Sequence, residues 1–118
     1  MAEAGVHVKI EECKGGRIAR VVIDNQRRLN CVTSAILVSL VEAFAKVAAD
    51  DKIRAAILTG AGDKAFIGGA DLNELGAATP DTARLFITRL HQACEAVRTC
   101  PVPVIGRVAG FCLGGGLE

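Results

Sequence analysis

Apolar and polar residues alternate at the start of the chain: Val6, Val8 and Ile10 are separated by His7 and Lys9. That is the period of a strand with one buried face. Lys14-Gly15-Gly16 supplies a turn and Arg17 to Ile23 returns, so residues 6–23 read as a β-hairpin. His7 has no partner nearby in sequence and reads as a surface or core-edge residue. Asp24 to Asn30 is polar and punctuated, hence a loop. Thr33 or Ser34 can cap the helix that follows. Its apolar face is Ile36, Leu37, Leu40, Val41, Phe44 and Val47-Ala48, and Asp50-Asp51 ends it. Ile53 to Thr59 is apolar with little alternation, as expected of a central strand covered on both faces. Strand, helix and strand in this order imply a right-handed crossover.

After Gly60-Ala61-Gly62 comes the small-residue stretch Ala65-Phe66-Ile67-Gly68-Gly69-Ala70-Asp71-Leu72, expected as a loop, with a helical turn over Asp71 to Leu75. Thr79-Pro80-Asp81 is a helix start, with Thr as cap, Pro at the first position and Asp in the first turn. Phe86, Leu90, Ala93, Cys94 and Val97 mark the buried face of that helix; His91 lies beside it and reads as structural. Cys100-Pro101-Val102-Pro103 stops the helix, and Val104 to Val108 reads as a further buried strand. That strand delivers the chain to a second glycine stretch, Gly110 to Glu118. No repeat or linker divides the sequence, so residues 1–118 are expected to form one α/β domain.

Composition narrows the function classes. Hydrophobic residues make up 51% of the 118 and charged residues 23%, an ordinary globular balance with a core of Ala, Val, Ile and Leu. Four Phe and no Trp or Tyr leave little for base stacking, and a net charge of +1 selects no polyanionic partner. Nucleic-acid binding is therefore not expected. The five cysteines, Cys13, Cys31, Cys94, Cys100 and Cys112, are odd in number and lack Cys-x-x-Cys spacing. They read as buried or half-buried thiols of a cytosolic protein, with no metal site. The charged N-terminus carries no secretory pattern and no segment is suited to span a membrane, so the expected compartment is cytoplasmic.

The candidate chemistry lies in the two glycine stretches. Each follows an expected strand and precedes a helical turn, where an α/β fold presents unpaired N–H groups with a favourable dipole. Glycine and alanine let a ligand approach the main chain there. One N–H from each stretch, converging on one oxygen, would stabilise negative charge developing on it. Glu118, three residues beyond Gly115, would bring a carboxylate for proton transfer. A phosphate-cradling loop, or simply a tight strand-to-helix connection, fits the same spacing. No Gly-Lys-Ser/Thr and no Gly-x-Gly-x-x-Gly after the first strand are present, which disfavours nucleotide-triphosphate and dinucleotide sites. Arg27 and Arg28 could meet a phosphate, although on this stretch alone a solvated loop is the favoured reading.

Three stretches carry a family resemblance. Ile57 to Leu75, with Thr59-Gly60-Ala61-Gly62 and Phe66-Ile67-Gly68-Gly69-Ala70-Asp71-Leu72, closely resembles a signature of the enoyl-CoA hydratase/isomerase (crotonase) family. Pro103 to Glu118 looks like its second signature. Asn25 to Val32 is similar to its early Asn-Arg-Pro…Leu-Asn-Ala-Leu loop, one residue shorter, without the proline, and with Cys31-Val32 in place of Ala-Leu. The order and spacing of the three agree.

The resemblance implies a crotonase-like ββα spiral truncated to its N-terminal half, because family members are roughly twice this length. It also implies an acyl-CoA thioester as substrate, with coenzyme A part of the substrate and no separate cofactor. Ala70 and Gly115 match the family's oxyanion-hole donors, and Glu118 matches the first of two catalytic glutamates in the hydratases. Ala70, Asp71 and Leu72 match the stretch that touches the coenzyme A head, with Gly68 and Gly114 beside the donors. Arg27 matches a basic position near its phosphates, and Leu29 and Cys31 line the same entrance. The second glutamate, the far wall of the acyl pocket and the helices that organise trimers or hexamers would lie beyond Glu118. Two functions follow from the resemblance: hydration of a 2-enoyl-CoA, or a truncated module that binds coenzyme A thioesters without completing catalysis. Leu-Glu also commonly joins a cloned protein to a tag, a reading under which Glu118 carries no role.

Overall fold

A computed structural model describes residues 4–118; Met1 to Glu3, part of the charged N-terminus, lie outside the described residues. Strand β1 (Gly5–Cys13) and β2 (Gly16–Asp24) form the expected antiparallel hairpin, with Val8 opposite Val21. Alternation in β2 turns Ala19, Val21 and Ile23 fully inward, each at 0% exposure. Arg17 and Arg20 on the same strand pair with Glu12 and Glu11 across the hairpin. The hairpin outruns its cover: Val6 and Val8 pack on the core, whereas Ile10 and Cys13 are exposed, against the half-buried expectation for both.

Helix α1 (Ser34–Ala49) starts where Thr33 accepts a hydrogen bond from the Ile36 N–H at 3.2 Å. Its stripe of Ile36, Leu37, Leu40, Ala43, Phe44 and Val47 is buried. β3 (Ile53–Gly60) then pairs parallel to β2, completing the expected β–α–β crossover. β4 (Ala65–Ile67), the short helix α2 (Leu72–Gly76) and α3 (Pro80–Arg98) follow, then β5 (Val104–Arg107) and β6 (Phe111–Cys112). The main sheet has the order β1-β2-β3-β5, and β4 with β6 makes a second, two-stranded parallel sheet. α1 lies between the β1–β2 hairpin and α3, so the core is layered as sheet, helix, helix.

Further expectations differ from the structure. Ala65 to Ile67 is a fully buried strand rather than loop, because β6 supplies the ladder partner that sequence alone does not reveal. β5 is not a buried strand: it is the edge of the main sheet, pairs with β3 alone, and leaves Ile105 54% exposed. An apolar run predicts two covered faces only if elements lie on both, and here Val104 alone packs on the core while the other three residues are exposed. α3 is likewise buried only at Phe86 and Ala93, with Leu90 and Val97 packed part-way. His91 is exposed. Among the described residues no helix is long and apolar enough to cross a membrane.

Candidate active site

The site begins where β4 and β6 run side by side. Ala65 pairs with Phe111 and Ile67 with Cys112, so the two glycine stretches leave one small sheet together. The Leu113 N–H donates to the Ile67 carbonyl at 3.1 Å and the Phe111 N–H to that of Lys64 at 3.0 Å. Past the strand ends the backbones meet. A β-carbon built on Gly114 would lie 3.6 Å from Gly69 Cα, and one on Gly69 would lie 3.5 Å from the Leu113 carbonyl oxygen. Gly69 has φ +117° and Gly114 φ +53°, conformations that disfavour any other residue.

Residues 68–71 are held from the other side by the early loop. The Gly68 N–H donates to the Leu29 carbonyl at 2.9 Å, and Cys31 Sγ lies 3.2 Å from where a Gly68 β-carbon would stand. Val32 then makes a parallel bridge with Ala70. The Val32 N–H donates to the Gly69 carbonyl at 2.8 Å, and the Asp71 N–H donates to the Val32 carbonyl at 2.9 Å. In such a bridge the two bonds use the peptide groups flanking Ala70, so Ala70's own N–H is turned to the opposite side. Among the described residues no protein acceptor takes the Ala70 N–H or the Gly115 N–H. Gly115 belongs to a 3-10 turn, Gly114–Gly116, closed by Gly116 N–H to Leu113 O at 2.8 Å and Leu117 N–H to Gly114 O at 3.0 Å.

Asp71 is 6% exposed and caps α2, its Oδ1 accepting from Asn73 N–H at 2.8 Å and Glu74 N–H at 3.1 Å. Its other oxygen lies 3.8 Å from Arg28 Nε, so the second arginine of the pair acts as its counter-ion. Arg27 sits, exposed, in the middle of the 3-10 turn Gln26–Arg28. Leu29 and Leu72 are 40% and 79% exposed and present apolar surface beside these loops. Burial pushes the Cys31 thiol up, the Asp71 charge adds to this, and Arg28 opposes it; the thiol stays protonated near neutral pH. Glu118 is exposed, and its charge adds to the burial that raises the Cys94 thiol on α3.

The structure therefore gathers Leu29, Cys31, Gly68, Ala70 and Asp71 into one cluster and brings Gly69 against Gly114. Two residues escaped the sequence reading. Asn30, 1% exposed and at φ +54°, accepts from Asn25 N–H at 2.8 Å and donates to the Ala61 and Ala65 carbonyls at 3.0 and 2.9 Å. An asparagine among polar loop residues is the available signal, because Asn tolerates left-handed backbone better than other non-glycine residues. The other is Glu74, whose partner is forty residues away at Ser34; local pattern carries no trace of it.

The family model described as "Enoyl-CoA hydratase/isomerase" matches residues 14–118. This chain belongs to the enoyl-CoA hydratase/isomerase family. It is 37% identical over 101 residues to a Mycobacterium tuberculosis protein named as a probable enoyl-CoA hydratase, EchA14, covering 86% of this chain and 39% of that one. It is 34% identical to the short-chain-enoyl-CoA hydratase of Clostridium acetobutylicum, over 89% of this chain and 40% of the relative. Among solved structures, an enoyl-CoA hydratase/carnithine racemase from Magnetospirillum magneticum superposes with a TM-score of 0.84 at 37% identity, over 93% of this chain and 41% of that one. The fold is thus part of the crotonase fold, as the resemblance implied. The chain spans about 40% of the length of the relatives it matches.

Proposed function

We propose that this member of the enoyl-CoA hydratase/isomerase family holds the carbonyl of an acyl-CoA thioester between the Ala70 and Gly115 N–H groups. The reaction would be addition of water to a 2-enoyl-CoA. One observation carries the reading: the Val32 bridge occupies both peptide groups around Ala70 and leaves its N–H without a protein acceptor, next to the Gly69–Gly114 contact. In hydration, negative charge builds on the thioester oxygen as the nucleophile adds at the β-carbon. Fixed donors need no reorganisation to meet that charge, and losing one costs about 2.7–4 kcal/mol of transition-state stabilisation. Glu118 is one carboxylate of the proton-transfer machinery, exchanging a proton with the added water. Arg27 serves the phosphates of coenzyme A, while Leu29, Cys31 and Leu72 line its approach, with Gly68, Asp71 and Gly114 shaping the backbone around the thioester.

The second reading is that these 118 residues bind the thioester without completing turnover. Calorimetry of the 118-residue chain with coenzyme A and acetyl-CoA, together with a crotonyl-CoA hydration assay, separates the two. Binding with turnover supports the enzyme, and binding alone supports the module. No preference for acetyl-CoA over coenzyme A refutes the thioester site in both.

A further inference from the structure

α1 begins in an unusual way. Its N-cap Thr33 satisfies the Ile36 N–H, but no acidic residue stands in the helix's own first turn. The missing carboxylate comes from α2. Glu74 accepts from the Ser34 N–H at 3.0 and 3.3 Å through its two oxygens, and from the Ser34 hydroxyl at 2.8 Å. It satisfies an otherwise unpaired donor of the first turn and places negative charge at the positive end of a sixteen-residue helix.

The other end of this connection is the candidate site. α2 has five residues, too few to be stable alone. It buries little, with Leu72 79% and Leu75 40% exposed. Its N-cap is Asp71, the residue after Ala70. Residues 69–74 are thus tied to residues 32–34 twice: by the backbone bridge at Val32 and by the Glu74 carboxylate at Ser34. The Ala70 peptide lies at one end of this two-point attachment. The bridge pins the Gly69 carbonyl and with it the Ala70 N–H of the same peptide group; without the second point that bridge alone resists motion of α2.

We infer that Glu74 is a positioning residue: by docking α2 on the N-terminus of α1 it supports the Val32 bridge in holding the Ala70 N–H in one direction. The effect on ligands rests on the reading of Ala70 as a thioester donor; the mechanical coupling does not. Acetyl-CoA and coenzyme A differ in the thioester carbonyl, so the ratio of their affinities reports on the donor, whereas general loss of structure would lower both. Glu74→Ala is expected to cut that ratio about five- to tenfold, the value of one hydrogen bond, beyond any loss common to both ligands through Leu72 on α2. Glu74→Gln, which keeps an oxygen acceptor for Ser34, should recover much of it. Amide NMR of the unliganded chain gives the independent arm: Glu74→Ala should shift the Ala70 amide and speed hydrogen exchange at Ser34 about tenfold. Ser34→Ala, which loses only the hydroxyl bond, should do both more weakly and serves if Glu74→Ala does not fold. An unmoved Ala70 amide in either variant overturns the coupling. If the wild-type chain shows no preference for acetyl-CoA, the thioester reading falls and the amide comparison alone decides the role of Glu74.

Discussion

Replacing Asn30 with alanine tests how the early loop is locked to the first glycine stretch. The side chain is 1% exposed and joins three backbone groups: Asn25 N–H, Ala61 C=O and Ala65 C=O. Each lost bond costs about 0.5–1.5 kcal/mol, at the upper end where the stranded partner stays buried. Alanine must also adopt the left-handed backbone at φ +54°, adding about 1–2 kcal/mol. The expected destabilisation is about 3–5 kcal/mol, a large share of the 5–15 kcal/mol typical of a whole domain. Urea melts with an unchanged slope measure it. Asn30→Gly separates the two contributions, since glycine removes the bonds and accepts the backbone; it should be about 1 kcal/mol more stable than Asn30→Ala. A loss below about 1 kcal/mol for alanine, or equal stability of the two variants, would refute the assignment of Asn30 as the lock.

The remaining expectations concern other parts of the fold. Gly110→Ala drives a β-carbon into the Lys64 carbonyl oxygen at φ +85°, so urea melts should show a loss of about 2–4 kcal/mol; a loss under about 1 kcal/mol contradicts the tight β4–β6 connection. Asp50 is held below the ordinary carboxylate range by the Lys52 N–H and then by Arg17. A depressed folded-state value means its contribution is present above the ordinary range and is lost as pH falls through the lower one. Asp50→Asn should therefore flatten the acid limb of Tm against pH and meet the wild-type curve in strong acid, and parallel curves would contradict this. Cys13 is exposed and Cys31 is part-buried with a raised thiol, so peptide mapping after brief alkylation should find Cys13 modified first; Asp71→Asn should speed Cys31. Ile105, Val108, Phe111, Leu113 and Leu117 are each more than half exposed, and sedimentation should show association rising with concentration.

What the sequence made legible was local. The hairpin, the Thr33 cap, the β–α–β crossover and the Thr79-Pro80 helix start each rest on residues within a few positions of one another, and each is present as expected. What it hid depends on partners far along the chain. Ala65 to Ile67 becomes strand only because Phe111-Cys112 lies beside it, and α1 receives its carboxylate from Glu74. The apolar run at β5 misled because periodicity reports what a strand can bury, not what covers it. In the candidate site, the motifs led to Ala70, Gly115 and Glu118. They could not show that the bridge turns the Ala70 N–H to the side away from Val32, or that Arg28 is engaged with Asp71.

The central claim is that the Ala70 and Gly115 N–H groups receive a thioester carbonyl. Backbone amide NMR of the ¹⁵N-labelled chain, titrated in parallel with acetyl-CoA and coenzyme A, addresses it directly. Hydrogen bonding to the carbonyl should move the Ala70 and Gly115 proton resonances downfield together with acetyl-CoA and leave both nearly in place with coenzyme A. Equal responses to the two ligands, or movement of only one of the two amides, would contradict a shared oxyanion site.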